Sequence, residues 1–234
     1  MLVRDLMEED EVEPDIVTYS TLISICERCG RLASVPRFKE EMKEQGVAPN
    51  VYFYNALMTC LRAQTQDEAD WRKKEVYVQQ AFELLNDDIP RYGLRPDLVT
   101  INALLGVLMA ANKWQDSLNV LGEMEAKYFL KGDVITYSTC ISACNRARQW
   151  EHVEGVQDKM KGAGIAGNVI TYNALISSAA RQGYVERAFE LWDEMLAQGL
   201  APNVVTYSAL IAACQHGDRW VKAFEILLDM VQVC

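Results

Sequence analysis

Histidine is scarce, with two in 234 residues. A Cys/His zinc site therefore has few ligands to draw on. The one Cys-x-x-Cys, Cys26 to Cys29, has no second pair to complete a tetrahedral set. No apolar stretch approaches the ~20 residues of a membrane-spanning helix. The first 15 residues, MLVRDLMEEDEVEPD, are acidic and resemble neither a signal peptide nor a transit peptide. Positive charge is also short. There are 23 Lys and Arg against 33 Asp and Glu, a net charge of −10, which at first sight disfavours a nucleic-acid partner. A His/Cys/Glu deaminase signature is missing, as are clustered carboxylates suited to two-metal hydrolysis. No catalytic residue, cofactor or metal is assigned, and no membrane partner.

What is present is repetition. Val169–Asn203 (VITYNALISSAARQGYVERAFELWDEMLAQGLAPN) recurs along the chain, and such a period marks a solenoid. Copies are expected over 16–50, 51–97, 98–133, 134–168 and 169–203, with a truncated one over 204–234. Three copies have 35 residues, one has 36, and that over 51–97 has 47. Met7 precedes Pro14 as Met42 precedes Pro49, so 1–15 reads as the end of a preceding repeat. The chain reads as a piece of a longer array.

Each copy predicts two helices. In the fifth, Tyr172, Leu175, Ile176 and Ala179 follow i, i+3, i+4, i+7 spacing. Gly183 marks the turn, and Val185, Ala188, Phe189, Leu191, Trp192 and Met195 form the second apolar series. Gly199 and Pro202 then stop it. Cys26, Cys144 and Cys214 share one core register, where Ala179 also sits. Cys140 sits where Leu175 does, so the cysteines read as small core residues in a reducing setting. Trp114, Trp150 and Trp220 share the register of Val185 and are expected between helices. The extra dozen residues of the second copy fall near Gln64–Gln80. They predict a charged surface insertion in the turn, or an extension of the second helix, with Trp71–Lys74 (WRKK) in a solvated loop.

The other face of each first helix carries a different stripe. Residues at i, i+3, i+7 and i+11 lie within about 80° of arc. The fifth copy gives Ile170, Asn173, Ser177, Arg181, and the first Val17, Ser20, Ser24, Arg28. The fourth gives Ile135, Ser138, Ser142, Arg146, and the sixth Val205, Ser208, Ala212, His216. The second and third give Tyr52, Asn55, Thr59, Ala63 and Val99, Asn102, Gly106, Ala110. An apolar wedge, an Asn or Ser, a small residue and often a base suit single-stranded nucleic acid: stacking, edge reading, room and phosphate contact. A merely solvated position would drift to Lys, Glu or Gln. The first fourteen residues of the six copies hold Arg28, Arg62, Arg146 and Arg181 against Glu27 alone, a net of +3, leaving −13 for the rest. The Asp or Asn ending each repeat also has a plain structural use, as N-cap of the next helix.

V-[IV]-T-Y-[NS]-x-L-I, A-F-E-L, E-M and G-x-x-P-[DN] closely resemble pentatricopeptide repeat proteins of the P type over nearly the whole chain. The resemblance implies an all-α fold, a right-handed α-solenoid of helix-turn-helix repeats that binds single-stranded RNA, one base per repeat. The residue after the Tyr and the last residue of the repeat would choose the base. Carried over, Ser20 with Asn50 reads A, Asn55 with Asp97 reads U, and Asn102 with Asp133 reads U. Ser138 with Asn168 reads A, Asn173 with Asn203 reads C more than U, and Ser208 favours a purine. Val17, Tyr52, Val99, Ile135, Ile170 and Val205 would sandwich the bases, and the four arginines would meet phosphates. The family implies a chloroplast or mitochondrial setting, in transcript stabilisation or processing. Ile101 replaces the Tyr in the third copy, and Gly132 and Gly167 replace Pro. Two other functions compete: a protein-binding scaffold, favoured by the acidic exterior, and the recognition arm of an RNA-processing enzyme. Apolar faces at the array ends predict self-association, for example around Phe224, Ile226 and Met230.

Overall fold

The computed structural model describes residues 14–215 and 219–233. Met7 and the segment read as the end of a preceding repeat, Pro14 and Asp15 apart, lie outside the described residues, as does His216. Every element among the described residues is helical. They are α1 (Ile16–Arg28), α2 (Val35–Glu44), α3 (Val51–Asp67), α4 (Trp71–Glu83), α5 (Leu98–Ala110) and α6 (Trp114–Glu123). Then follow α7 (Val134–Arg146), α8 (Trp150–Gly162), α9 (Val169–Gln182), α10 (Val185–Ala197), α11 (Val204–Cys214) and α12 (Trp220–Val233).

Odd-numbered helices start alike. The residue before each accepts a backbone N–H of the first turn through its side chain: Asp15, Asn50, Asp97, Asp133, Asn168 and Asn203. Four of these starts are full capping boxes closed by Thr100, Thr136, Thr171 and Thr206. The turn after α9 places Gly183 at φ 77°, a left-handed conformation that glycine adopts without a Cβ clash. At the corresponding turns Asn112 and Arg148 take φ 61° and 59°.

The chain divides into two compact units. The first holds Met1–Ala111 with Ala126–Leu130, the second Asn112–Glu125 with Lys131–Cys234. In the first unit α1 packs on α3 and α3 on α5, and in the second α7 packs on α9 and α9 on α11. In the first unit α1 also packs on α2 and α3 on α4, and in the second α7 packs on α8, α9 on α10 and α11 on α12. The core of the first unit includes Ile23, Met58, Leu85, Ile89, Leu104 and Leu108, all fully buried. That of the second includes Ile141, Ile176, Ala188, Met195 and Leu210. Removing a side chain of this size from water stabilises by roughly 1.5–3 kcal/mol. The repeat tyrosines add a polar tie: Tyr19 Oη donates to Gln45 (2.7 Å), and Gln198 donates to Tyr172 Oη (2.7 Å). Ile101 fills the same register fully buried and has no hydroxyl to satisfy.

The extra residues of the second copy form no charged loop; the second helix is extended, as one of the two readings expected, and the first lengthens as well. Both helices grow. α3 has 17 residues where α1 and α7 have 13, one added turn. The second helix runs from Trp71 through a π segment, Leu84–Asp88, to Arg91. The turn between them, 68–70, is short. A π segment absorbs one additional residue without breaking the helix. The copy of 36 residues has its own, Met124–Tyr128. Trp71–Lys74 is therefore the first turn of α4 and not a loop. The Arg72 guanidinium lies over the Trp71 ring (5.6 Å), Lys73 pairs with Glu68 (3.3 Å), and Lys74 donates to the carbonyl of Ala110 (3.2 Å).

Trp114 and Trp150 are half-buried, and the Trp114 ring stacks on His152 with centroids 4.8 Å apart. Trp220 departs from the expected inter-helix position. It is 66% exposed in the first turn of α12, where its ring meets the edge of Phe224. The self-association residues also need correction. Ile226 points into the core, and the exposed apolar face of α12 is Trp220, Val221, Phe224, Leu227, Leu228 and Val231. Cys60, Cys140, Cys144 and Cys214 are buried, Cys26 is half-buried and Cys29 is exposed. Burial pushes the Cys60 and Cys140 thiols up to about 12.

Candidate nucleic-acid interface

The wedge residues sit at the second position of each odd helix, turned away from the core by the helical period. All six are exposed: Val17, Tyr52 and Val99 in the first unit, Ile135, Ile170 and Val205 in the second. Six large apolar side chains left in water at one register need an explanation that core packing does not provide.

One turn on, the residues after the tyrosines are not an ordinary solvated series. Asn55 is 8% exposed and Ser138 4%. In the first unit Asn55 Nδ2 donates to the Asp97 carboxylate at 3.2 and 3.3 Å, and Thr100 Oγ1 donates to Asn55 Oδ1 at 2.6 Å. In the second unit Asn173 Nδ2 donates to Asn203 Oδ1 at 3.1 Å, and Thr206 Oγ1 donates to Asn173 Oδ1 at 2.5 Å. The structure thus brings together two of the residue pairs picked from the sequence. It does so while Asp97 and Asn203 keep their capping roles, so the two uses of the repeat-ending residue coexist.

The serine pairs differ. Ser138 Oγ donates to the carbonyl of Val134 (2.6 Å) and lies 2.7 Å from Thr171 Oγ1, while Asn168 accepts from the Thr171 backbone N–H (2.9 Å). Ser20 Oγ donates to the carbonyl of Ile16 (2.7 Å), and Asn50 accepts from the Phe53 backbone N–H (2.9 Å). Among the described residues neither serine bonds the asparagine that ends its repeat, as Asn55 and Asn173 bond their partners, although Ser138 still meets Thr171 of the next repeat. Ser208 is exposed on α11. Asn102 lies half-buried on α5 of the first unit, and Asp133 caps α7 of the second.

Arg28, Arg62, Arg146 and Arg181 are all exposed and make no ion pair among the described residues. Arg62 lies across Gly106 of α5, where an added Cβ would stand 2.7 Å from its Cδ. In the second unit a cleft of about 490 Å³ runs between α9 and α11, lined by Ser177, Arg181, Val205, Ser208 and Ala212 among others. Wedge, small residue and base therefore meet in one open groove. The threonines that tie the Asn55 and Asn173 pairs stand outside the stripe read from the sequence. Their signal was the V-x-T-Y pattern itself, in which the third helical position is Thr in every copy except the second, where it is Phe53.

Family comparison agrees with the repeat pattern. A pentatricopeptide repeat domain model matches residues 2–62, 84–145 and 129–179, and PPR repeat models match 167–216 and 205–233. A chloroplastic pentatricopeptide repeat-containing protein of Arabidopsis thaliana is 29% identical over 155 residues, 65% of this chain and 16% of that protein. A mitochondrial one is 27% identical over 137 residues, 58% of this chain and 19% of that protein. The chain thus spans about a sixth to a third of the length of such relatives. Among solved structures, PPR10 from maize superposes with a TM-score of 0.72 at 23% identity, over 98% of this chain and 31% of that one. PPR10 in complex with an 18-nt psaJ RNA element gives 0.71 at 22%, over 97% and 32%. The PPR domain of Arabidopsis thaliana protein-only RNase P 1, in complex with tRNA, gives 0.68 at 12%, over 86% and 98%. The fold they share is an all-α solenoid of helix-turn-helix repeats.

Proposed function

The chain belongs to the pentatricopeptide repeat family, and on that premise we propose that it is a sequence-specific module for single-stranded RNA, one base per repeat. The observation that carries this reading is the pairing of Asn55 with Asp97 and of Asn173 with Asn203, each beside an exposed wedge. The two pairs offer different chemistry. Asp97 is an acceptor only, which suits the N3–H of uracil. Asn203 Oδ1 is occupied by the N–H groups of Val205 and Thr206 and by Asn173. Its NH₂ then faces the base as a donor, which suits the N3 acceptor of cytosine. Where Ser20 and Ser138 stand, the shorter side chain suits a purine. The reading in full is A-U-U-A-C/U-purine, 5′ to 3′. RNA-bound relatives of the same fold, one with a psaJ element and one with tRNA, support a nucleic-acid partner.

The module acts by occupying RNA, with no catalytic step of its own. Chloroplastic and mitochondrial relatives support an organellar setting, in transcript stabilisation or processing. Self-association runs through the exposed face of α12. The test is a binding titration with RNA containing AUUAC against its complement. Preference for AUUAC supports the reading. Equal, weak binding to both moves a protein-binding scaffold to first place.

A further inference from the structure

The threonine at the third position of an odd helix touches the asparagine of the preceding repeat, and the geometry around it decides where its proton goes. Thr206 Oγ1 accepts from the Asn203 backbone N–H at 3.1 Å. It lies 2.5 Å from Asn173 Oδ1 and 3.3 Å from Asn203 Oδ1. A hydroxyl has one proton, and the shorter contact takes it. Asn173 Nδ2 in turn donates to Asn203 Oδ1. The result is a closed ring: Asn203 N–H to Thr206, Thr206 O–H to Asn173, Asn173 N–H back to Asn203. Bonds running head to tail polarise one another and hold a single direction.

The same ring forms at Asn55. The Asp97 backbone N–H donates to Thr100 Oγ1 (3.3 Å), and Asn55 Nδ2 donates to the Asp97 carboxylate. Thr100 Oγ1 lies 2.6 Å from Asn55 Oδ1 and 2.8 Å from Asp97 Oδ1, which share its one proton, with the shorter contact to the amide. Reversing the Asn55 amide would set its carbonyl oxygen against that carboxylate, acceptor against acceptor. Thr100 and Thr206 are buried, with no measurable exposure, so water does not substitute for them.

We infer that Thr100 and Thr206 are positioning residues that set base discrimination in the preceding repeat. By holding Oδ1 of the asparagine, each threonine fixes which edge of the amide faces the base. Without the hydroxyl the amide loses one of its two holds, and only the contact of its Nδ2 with Asp97 or with Asn203 Oδ1 is left to orient it, so the preference between bases narrows. The first repeat is a natural contrast. Phe53 stands where the others have Thr, and Ser20 bonds only within its own helix. On this inference its site discriminates less between bases than that of Asn55.

This inference rests on the base-reading role of Asn173, so the experiment includes Asn173→Ser. Thr206→Val, Thr206→Ser and Asn173→Ser are titrated with RNAs that differ only at the base opposite the fifth repeat, and with RNAs that differ only opposite the fourth. For Thr206→Val the ratio between preferred and disfavoured base at the fifth position falls roughly three- to tenfold, the worth of one oriented hydrogen bond. The ratio at the fourth position stays, and Thr206→Ser restores the fifth. An equal loss of affinity for every RNA, with the ratio intact, marks a purely structural threonine and overturns the inference. If Asn173→Ser shifts the preference and Thr206→Val does not, the inference falls and the base-reading role stands. If neither shifts it, both fall. Thr100→Val, read at the second base, repeats the test should Thr206→Val not fold. Should neither valine variant fold, the Asn173 side-chain amide protons of the unaltered protein decide by NMR. Distinct, slowly exchanging signals support a fixed amide, and averaged, fast-exchanging ones overturn it.

Discussion

Salt dependence tests the phosphate face most quantitatively. Four arginines, Arg28 and Arg62 in the first unit and Arg146 and Arg181 in the second, are exposed and without an ion-pair partner among the described residues. The basic tract Trp71–Lys74 adds little, because Lys73 is paired with Glu68 and Lys74 is engaged with the carbonyl of Ala110. Each phosphate contact on a single strand contributes about −0.7 to the slope of log affinity against log salt, so four give about −2.8. Raising salt from about 50 to 200 mM should then weaken binding about fiftyfold. The assay is a titration by fluorescence anisotropy at five or six salt concentrations. Arg181→Ala should flatten the slope by about 0.7 and weaken all RNAs alike, because a phosphate contact carries no sequence information. A slope steeper than about −5 would refute the assignment, since it requires cations outside the stripe.

Three further outcomes are expected. Phe129 stands at a repeat-ending turn with φ 57°, where the other copies have glycine, and its side chain is 84% exposed. Phe129→Gly should relieve roughly 1–2 kcal/mol of left-handed strain, offset by roughly 0.5–1 kcal/mol of glycine entropy. A small rise in Tm by calorimetry is the result, and a fall would count against the turn geometry. At pH 8, iodoacetamide should modify Cys29 in the native protein and spare Cys60 and Cys140, as mass spectrometry of digests will show. The folded state keeps thiol protons at these two sites that the unfolded chain gives up near its ordinary value of about 8.5. Their stabilisation is therefore complete below that pH and is lost as pH climbs towards about 12; a Tm unchanged between pH 8 and 10 would contradict this. Finally, Phe224→Asp with Leu228→Asp should shift sedimentation towards monomer, and a parent protein that is monomeric at high concentration would remove the self-association reading.

Much of this architecture was legible because a repeat states its periodicity several times over. Tyr172, Leu175, Ile176 and Ala179 announced the core face of α9, and Ile170, Asn173 and Arg181 its opposite face. The insertion was legible only in part, as an extension of the second helix. Gln64–Gln80 is charged on most sides, so no apolar period betrays that both helices simply lengthen past their neighbours. The π segments leave no local mark either, since one extra residue in a helix shows only as a changed repeat length. Trp220 and Ile226 misled for a different reason. Register gives the position on the helix, while exposure depends on which neighbour is present to cover it. Thr206 was visible in the V-x-T-Y pattern, but its hydrogen bond to Asn173 joins residues 33 apart, and only packing of successive repeats brings them together.

The most direct test of base reading is the Asn173→Ser exchange, measured by titration against four RNAs that differ only at the base facing the fifth repeat. Asn203 is already the partner type that accompanies Ser138, so the substitution recreates the fourth site at the fifth. The exchange gives up the Asn173–Asn203 hydrogen bond, while the 2.7 Å contact of Ser138 with Thr171 shows that a serine there still meets the threonine, so the cost in stability should be about that of one hydrogen bond, roughly 0.5–1.5 kcal/mol. The account predicts that the unaltered protein prefers C or U there and that the variant prefers A, with overall affinity for its best RNA retained. A folded, RNA-competent variant whose base preference is unchanged would contradict one-base-per-repeat reading in this chain.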